Sequence, residues 1–163
     1  MKKALKIGGG IIGAVLLLLL GYVIYVFAAY DRIEDNQELS VQAGSDAKSS
    51  VPTGTPLNIT SWNIGFGAYT DDYSFFMDGG EYSRGFSEDI GETVEKMASD
   101  LAEMDSDFYL VQEVDVDATR SYHINEYNII TRPFSSMSKV YAQNYDSPYL
   151  FYPILGPHGK SVA

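Results

Sequence analysis

Two short apolar runs, each ending in a polar side chain and joined by one amphipathic segment, set the tightest limit on how this chain folds. The first is Leu57-Asn58-Ile59-Thr60-Ser61-Trp62-Asn63-Ile64-Gly65. The second, Phe108-Tyr109-Leu110-Val111-Gln112-Glu113-Val114, is bounded by Asp107 and Asp115. Such short runs of Leu, Ile, Val, Phe and Tyr read as β-strands, the second one buried on both faces. Between them Ile90, Val94, Met97, Leu101 and Met104 recur at spacings of four, three, four and three. That is one apolar stripe on a helix about four turns long, suited to lie on a sheet. Ser87 is the expected cap, with Glu88 and Asp89 in the first turn, where the helix dipole favours anions. A helical crossover between two strands makes them parallel, so both C-terminal ends face the same way. The βαβ unit therefore predicts Asn63 and Glu113 at one rim, the rim where ligands bind in α/β sheets.

No charge occurs from Ile7 to Ala29. At 1.5 Å per residue that segment makes a helix roughly 30 Å or more long, enough to cross a bilayer core. Lys2, Lys3 and Lys6 precede it and Asp31, Glu34 and Asp35 follow, which places the N-terminus in the cytoplasm. Residues 1–29 thus read as a basic cytoplasmic start and a single transmembrane anchor at the cell membrane. Tyr22, Tyr25 and Tyr30 fall toward the outer interface, as an aromatic belt does. The alternative is a cleaved signal peptide, with Val26-Phe27-Ala28 as an acceptable cleavage site. Either reading makes the remainder extracytoplasmic. Residues 30–55, dominated by Asp, Glu, Gln, Ser, Gly and Thr, sustain no period and read as a flexible linker. Residues 56–163 are left for one domain.

The formal net charge is −11, and more acidic still once the three leading lysines are set aside. So acidic a body argues against non-specific nucleic-acid binding and leaves room for a cation-dependent site. The absence of cysteine excludes disulfides, zinc-thiolate sites and a thiol nucleophile. From Phe66 to Phe86 the pattern is irregular, punctuated by Gly67, Gly79, Gly80 and Gly85, and Asp71, Asp72 and Asp78 read as solvated turns. Beyond Val114, residues Arg120 to Thr131 suggest a short helix stopped before Pro133. Ser138–Asn144 and Tyr149–Leu155 look like strands, and Pro157–Ala163 a turn-like segment with no closing element.

Mg²⁺ takes few protein carboxylates and keeps several waters, which frees it to bind phosphate oxygens. One Glu, held by a neighbouring amide at the mouth of a parallel strand pair, is a suitable seat for it. On spacing alone, an equal alternative is that Asn63 caps a turn and Glu113 solvates a strand end.

Ser61-Trp62-Asn63-Ile64 followed by Leu110-Val111-Gln112-Glu113-Val114 resembles the first two signature motifs of the endonuclease/exonuclease/phosphatase (DNase I-like) superfamily. The resemblance covers Leu57 to Val114 closely and the remainder loosely. It implies a two-sheet α/β sandwich of which this chain supplies the N-terminal half, preceded by the transmembrane helix. It also implies Glu113 as a metal-coordinating carboxylate and Asn63 as a residue orienting groups about the metal and the scissile phosphate. Both residues are then the candidate catalytic and metal-site positions, for Mg²⁺ or Mn²⁺. The family's later D-x-N pair and its terminal Asp-His, which supplies the general base, have no counterpart after Glu113. The expectation is a truncated protein, inactive alone. His158 lies too early to be that histidine. His123 is expected to be a satisfied structural residue or to point toward the site, and Arg120 to contact an anionic substrate or form a surface salt bridge. Glu126, outside the motif, is the control, and its replacement by Gln is expected to leave turnover near neutral.

The implied function is a membrane-tethered extracytoplasmic Mg²⁺-dependent phosphoesterase acting on DNA, RNA, phospholipid headgroups or small phosphomonoesters. The rival is a non-enzymatic surface module that binds glycans or a partner through Tyr122, Tyr127, Tyr141, Tyr145, Tyr149 and Tyr152. These tyrosines fit core and sheet packing equally well.

Overall fold

The computed structural model describes residues 2–48, 50–86 and 89–163. The chain begins with helix α1, Lys2–Ala28, about 40 Å long at 1.5 Å per residue. Among the described residues it is the one helix long and apolar enough to cross a membrane.

The centre of the domain is the βαβ unit. Strand β2, Ile59–Asn63, pairs in parallel with β3, Phe108–Gln112, so that Asn63 stands opposite Gln112. Helix α2, Ile90–Glu103, connects them. Its stripe is buried as its period demands: Ile90, Val94, Ala98 and Leu101 lose essentially all contact with water. Met97 packs beside them, together with Trp62, Tyr109 and Val111 from the strands. Complete burial of one such aliphatic side chain contributes about 1.5–3 kcal/mol. Met104 falls outside the stripe, because the helix stops at Glu103 and Met104 is exposed. The expected cap Ser87, with Glu88, lies outside the described residues. Asp89 occupies the N-cap position, not the first turn, and makes no side-chain capping bond.

The expectation that the Phe108 strand is buried on both faces is not met. Only one face of the pair packs on the helices, whereas Ile59, Phe108 and Leu110 on the other are 63%, 46% and 55% exposed. Period-2 alternation is what a half-covered sheet produces.

Beyond Gln112 the elements are short. Strand β4, Asp117–Ala118, leads through a 3₁₀ turn at Thr119–Ser121 to helix α3, Glu126–Thr131. Asn125 caps α3 by accepting a bond from Asn128 N–H at 2.9 Å, and a 3₁₀ turn containing Pro133 ends it. The strand expected over Ser138–Asn144 shrinks to β5, Lys139–Val140, antiparallel to β1, Val41–Gln42. The linker is therefore tied to the domain at that point, helped by a bond from Asp46 N–H to Ser136 O at 3.0 Å. Tyr149–Leu155 forms no strand, only a bridge between Leu150 and Gly159. The final segment closes the fold instead of trailing off: β6, Ser161–Val162, pairs antiparallel with β4. Mixed helix and sheet is thus the class, with the strands in three two-stranded pairs among the described residues.

A second, aromatic cluster fills the irregular stretch after β2. Phe66, Ala68 and Tyr73 are buried, with Phe75 and Phe86 against them. Gly67, at φ +64°, lets this loop press on α2, where a Cβ would meet the Val94 side chain at 2.5 Å.

Candidate functional site

Parallel pairing in register carries both strand ends to one edge. Immediately beyond, the backbone turns sharply: Gly65, Phe66 and Glu113 all have positive φ, at 55°, 44° and 56°. The left-handed region costs an L-residue roughly 1–2 kcal/mol, so Phe66 and Glu113 need support. Bonds that extend the ladder past its last strand residues supply it. Ile64 N–H donates to Gln112 O, and Phe66 N–H to Glu113 O, each at 3.0 Å.

The structure brings Asn63 and Glu113 into direct contact. Asn63 Nδ2 donates to Glu113 Oε1 at 2.7 Å, while Asn63 Oδ1 accepts from Gly65 N–H at 2.9 Å. Both ends of the amide are engaged, which fixes its orientation and clamps one carboxylate oxygen. The other oxygen of Glu113 accepts no hydrogen bond among the described residues, and both side chains are exposed. A carboxylate with one oxygen held and one presented to water is compatible with a hard cation that retains several waters. Among the described residues no three His, Asp or Glu side chains gather into a cage.

Tyr69 completes the rim. Its ring lies over Gly65, where a Cβ would meet Tyr69 Cδ2 at 2.5 Å. Burial, then the charges of Asp78 and Glu113, push the Tyr69 hydroxyl above its ordinary pKa, and a side-chain hydrogen bond to Asp78 adds to the rise.

Beneath the rim lies a different carboxylate. Asp115, two residues after Glu113, is fully buried and saturated. Arg120 grips it in a fork, Nε at 2.9 Å and Nη2 at 2.8 Å, and Ser121 Oγ donates at 2.8 Å. The Arg120 guanidinium also stacks on Phe66, 4.0 Å from the ring centroid. Asp115 N–H donates to Glu126 Oε2 at 2.8 Å, and Glu126 N–H returns to Asp115 O at 2.9 Å. One sequence expectation fails here. Arg120 is no surface salt bridge, since its side chain is 12% exposed and its fork is filled by Asp115. Glu126, the control for turnover, is completely buried with Oε1 unpartnered, so its substitution acts on the fold. Burial, reinforced by the Asp115 charge, pushes its pKa up to about 8.

Neither histidine reaches the pair. His123 binds Asp117 at the surface. His158 is buried, with Nε2 3.5 Å from Ser161 Oγ and Nδ1 unpartnered, and burial lowers its pKa. The tyrosines proposed as a binding face divide between two places. Tyr127 and Tyr141 meet edge to face in the domain, their ring centroids 5.3 Å apart, while Tyr149 contacts α1 and Tyr152 contacts Phe76. Sequence reasoning missed Tyr69 and Asp115. Neither carries a periodic signal, and only the fold shows that their neighbours are charged.

No protein-family model matches this chain, and no curated protein or solved structure matches it either.

Proposed function

We propose that the chain is the metal-binding portion of a membrane-tethered, extracytoplasmic Mg²⁺-dependent phosphoesterase with a DNase I-like α/β sandwich. The observation that carries this reading is the 2.7 Å bond from Asn63 to Glu113 at the C-terminal edge of a parallel strand pair. In this reading α1 spans the membrane with its N-terminus in the cytoplasm. Glu113 would hold Mg²⁺ or Mn²⁺ through its free oxygen. Bound there, the ion would neutralise charge on a phosphate ester and activate water, effects worth several kcal/mol.

The chain's own residues do the rest. Asn63 orients the carboxylate and is a positioning residue, because its amide oxygen already serves Gly65 N–H. Arg120, held by Asp115, stiffens the turn that aims Glu113. Neither histidine stands where a general base must, within hydrogen-bond reach of the water it would deprotonate. In this reading the chain binds metal and phosphate through the Glu113 edge. The exposed faces of β2 and β3 fit a sandwich whose second sheet is not supplied by the described residues.

Mn²⁺ binding followed by electron paramagnetic resonance tests the reading on the full 163-residue chain. Glu113→Gln keeps the side-chain size and removes the charge, and should weaken Mn²⁺ by about tenfold or more, about 1.4 kcal/mol. Asn63→Ala should weaken it less, and the exposed control Glu103→Gln not at all. Equal Mn²⁺ affinity in wild type and Glu113→Gln would remove the assignment.

A further inference from the structure

We propose that the segment Tyr149–Gly156 is a membrane-docking loop, which dips into the outer interface of the bilayer beside α1 and holds the domain against the lipid surface. The proposal rests on the reading of α1 as a membrane span.

Between Asp146 and Lys160 there is no Asp, Glu, Lys or Arg. Those two flanking charges neutralise each other, with Lys160 Nζ 2.9 Å from Asp146 Oδ1. The tip of the loop faces outward: Tyr152 is 65% exposed, Ile154 77% and Leu155 93%. Uncharged, aromatic-flanked apolar tips suit the headgroup boundary, where Tyr has one end dry and one end wet.

This loop is held at both its base and its flank. Its base is pinned. Leu150 and Gly159 exchange backbone bonds of 3.0 and 2.8 Å, Arg84 Nε donates to Pro157 O at 2.6 Å, and Ser83 Oγ donates to Gly156 O. Its position is also set by α1. Tyr25 Oη accepts from Tyr149 N–H at 3.0 Å, Tyr22 Oη donates to Tyr149 O at 3.3 Å, and the Tyr22 and Phe151 rings lie 4.4 Å apart. Along α1, Tyr25 and Tyr22 lie about 4.5 and 9 Å before the helix end at Ala28. The interfacial layer is roughly 5–7 Å thick on each side of the hydrocarbon core. A helix ending at the outer edge of that layer puts the Tyr25 backbone within it and the Tyr22 backbone about 2–4 Å below the hydrocarbon boundary. The loop backbone that bonds to both lies in the same slab, and the lipid surface is the occupant that its exposed tip meets.

The absence of cysteine makes the test clean. Single-cysteine variants Leu155→Cys, Ile154→Cys, Leu18→Cys and Glu103→Cys of the full chain, each labelled with the environment-sensitive fluorophore NBD, are reconstituted into phosphatidylcholine vesicles carrying nitroxide lipids. Both orientations of insertion report equally, because the loop meets its own interface in either. Labels at Leu155 and Ile154 should be blue-shifted and quenched severalfold more than at Glu103 by nitroxides near the headgroup. The label at Leu18 should be quenched by nitroxides deep in the acyl chains. Leu18 quenched with Leu155 and Ile154 as water-exposed as Glu103 would overturn the loop and leave the anchor standing. A blue shift at Leu155 without lipid quenching would mean cover by protein, and would also overturn it. Leu18 unquenched would remove the anchor, and the loop with it.

Discussion

Glu113 and Asp115 are two residues apart and do opposite things. The first lies in water with one oxygen clamped by Asn63 and the other open. The second is fully buried, with both oxygens filled by Arg120 and Ser121. An open carboxylate can exchange its water for a cation. A saturated one cannot, and removal of its partner leaves a bare charge in a place without water. The contrast separates the residue that would act from those that hold it in place, although the sequence writes both as acids after a strand.

The largest effect should come from breaking the buried half. Arg120→Met fills similar space but strands Asp115, and loss of one partner of a buried pair costs about 3–5 kcal/mol. Chemical unfolding of the full chain in detergent should show that loss. A change below about 1 kcal/mol would mean that Asp115 is solvated and the contrast false.

The Glu126 carboxyl sharpens the comparison through pH. Its folded pKa of about 8 lies above its ordinary 4.5, so the native state holds a proton that the unfolded state releases. Stability rises with pH only where the unfolded state binds more protons, so here it must fall as pH climbs from about 4.5 to about 8. The fall attributable to this group should be a few kcal/mol, since each unit is worth about 1.4 kcal/mol. Glu126→Gln removes the titration and keeps an acceptor for Asp115 N–H. The variant should therefore gain on wild type as pH rises through that window. Parallel stability-versus-pH curves would contradict the assignment.

The smallest expected effect concerns the open half. Glu113 sits at φ 56°, a conformation that glycine adopts freely. Glu113→Gly should raise stability, by no more than about 1 kcal/mol after glycine's larger unfolded-state entropy is subtracted, while abolishing metal binding. Strain that a functional side chain maintains is expected at a site of this kind. Destabilisation by Glu113→Gly would show the carboxylate to be part of the scaffold.

What could be read from the residues follows the same division. The α2 stripe was legible because burial along one helix face repeats, and Ile90, Val94 and Leu101 obey that period. The meeting of Asn63 and Glu113 was legible because a parallel crossover leaves little freedom in where strand ends go. The half-exposed face of β3 was not, since a run of apolar residues looks alike whether one face or two are covered. Strands β4, β5 and β6 are two residues long and show no period at all. Tyr149–Leu155 has strand-forming residues throughout, but Pro153 lacks an N–H and the segment's bonds go to Tyr22, Tyr25 and Gly159 instead. The burial of Asp115 and Glu126 depends on Arg120, which the turn at Thr119–Ser121 swings inward. No local pattern announces that.

The central claim is that Glu113 holds a divalent ion where a phosphate can reach it. Phosphorus-31 relaxation of dimethyl phosphate in the presence of Mn²⁺ and the full chain tests this most directly. The account predicts broadening beyond that caused by Mn²⁺ alone, undiminished in Glu103→Gln and lost in Glu113→Gln. The same protein-dependent broadening with Glu113→Gln as with wild type would contradict it.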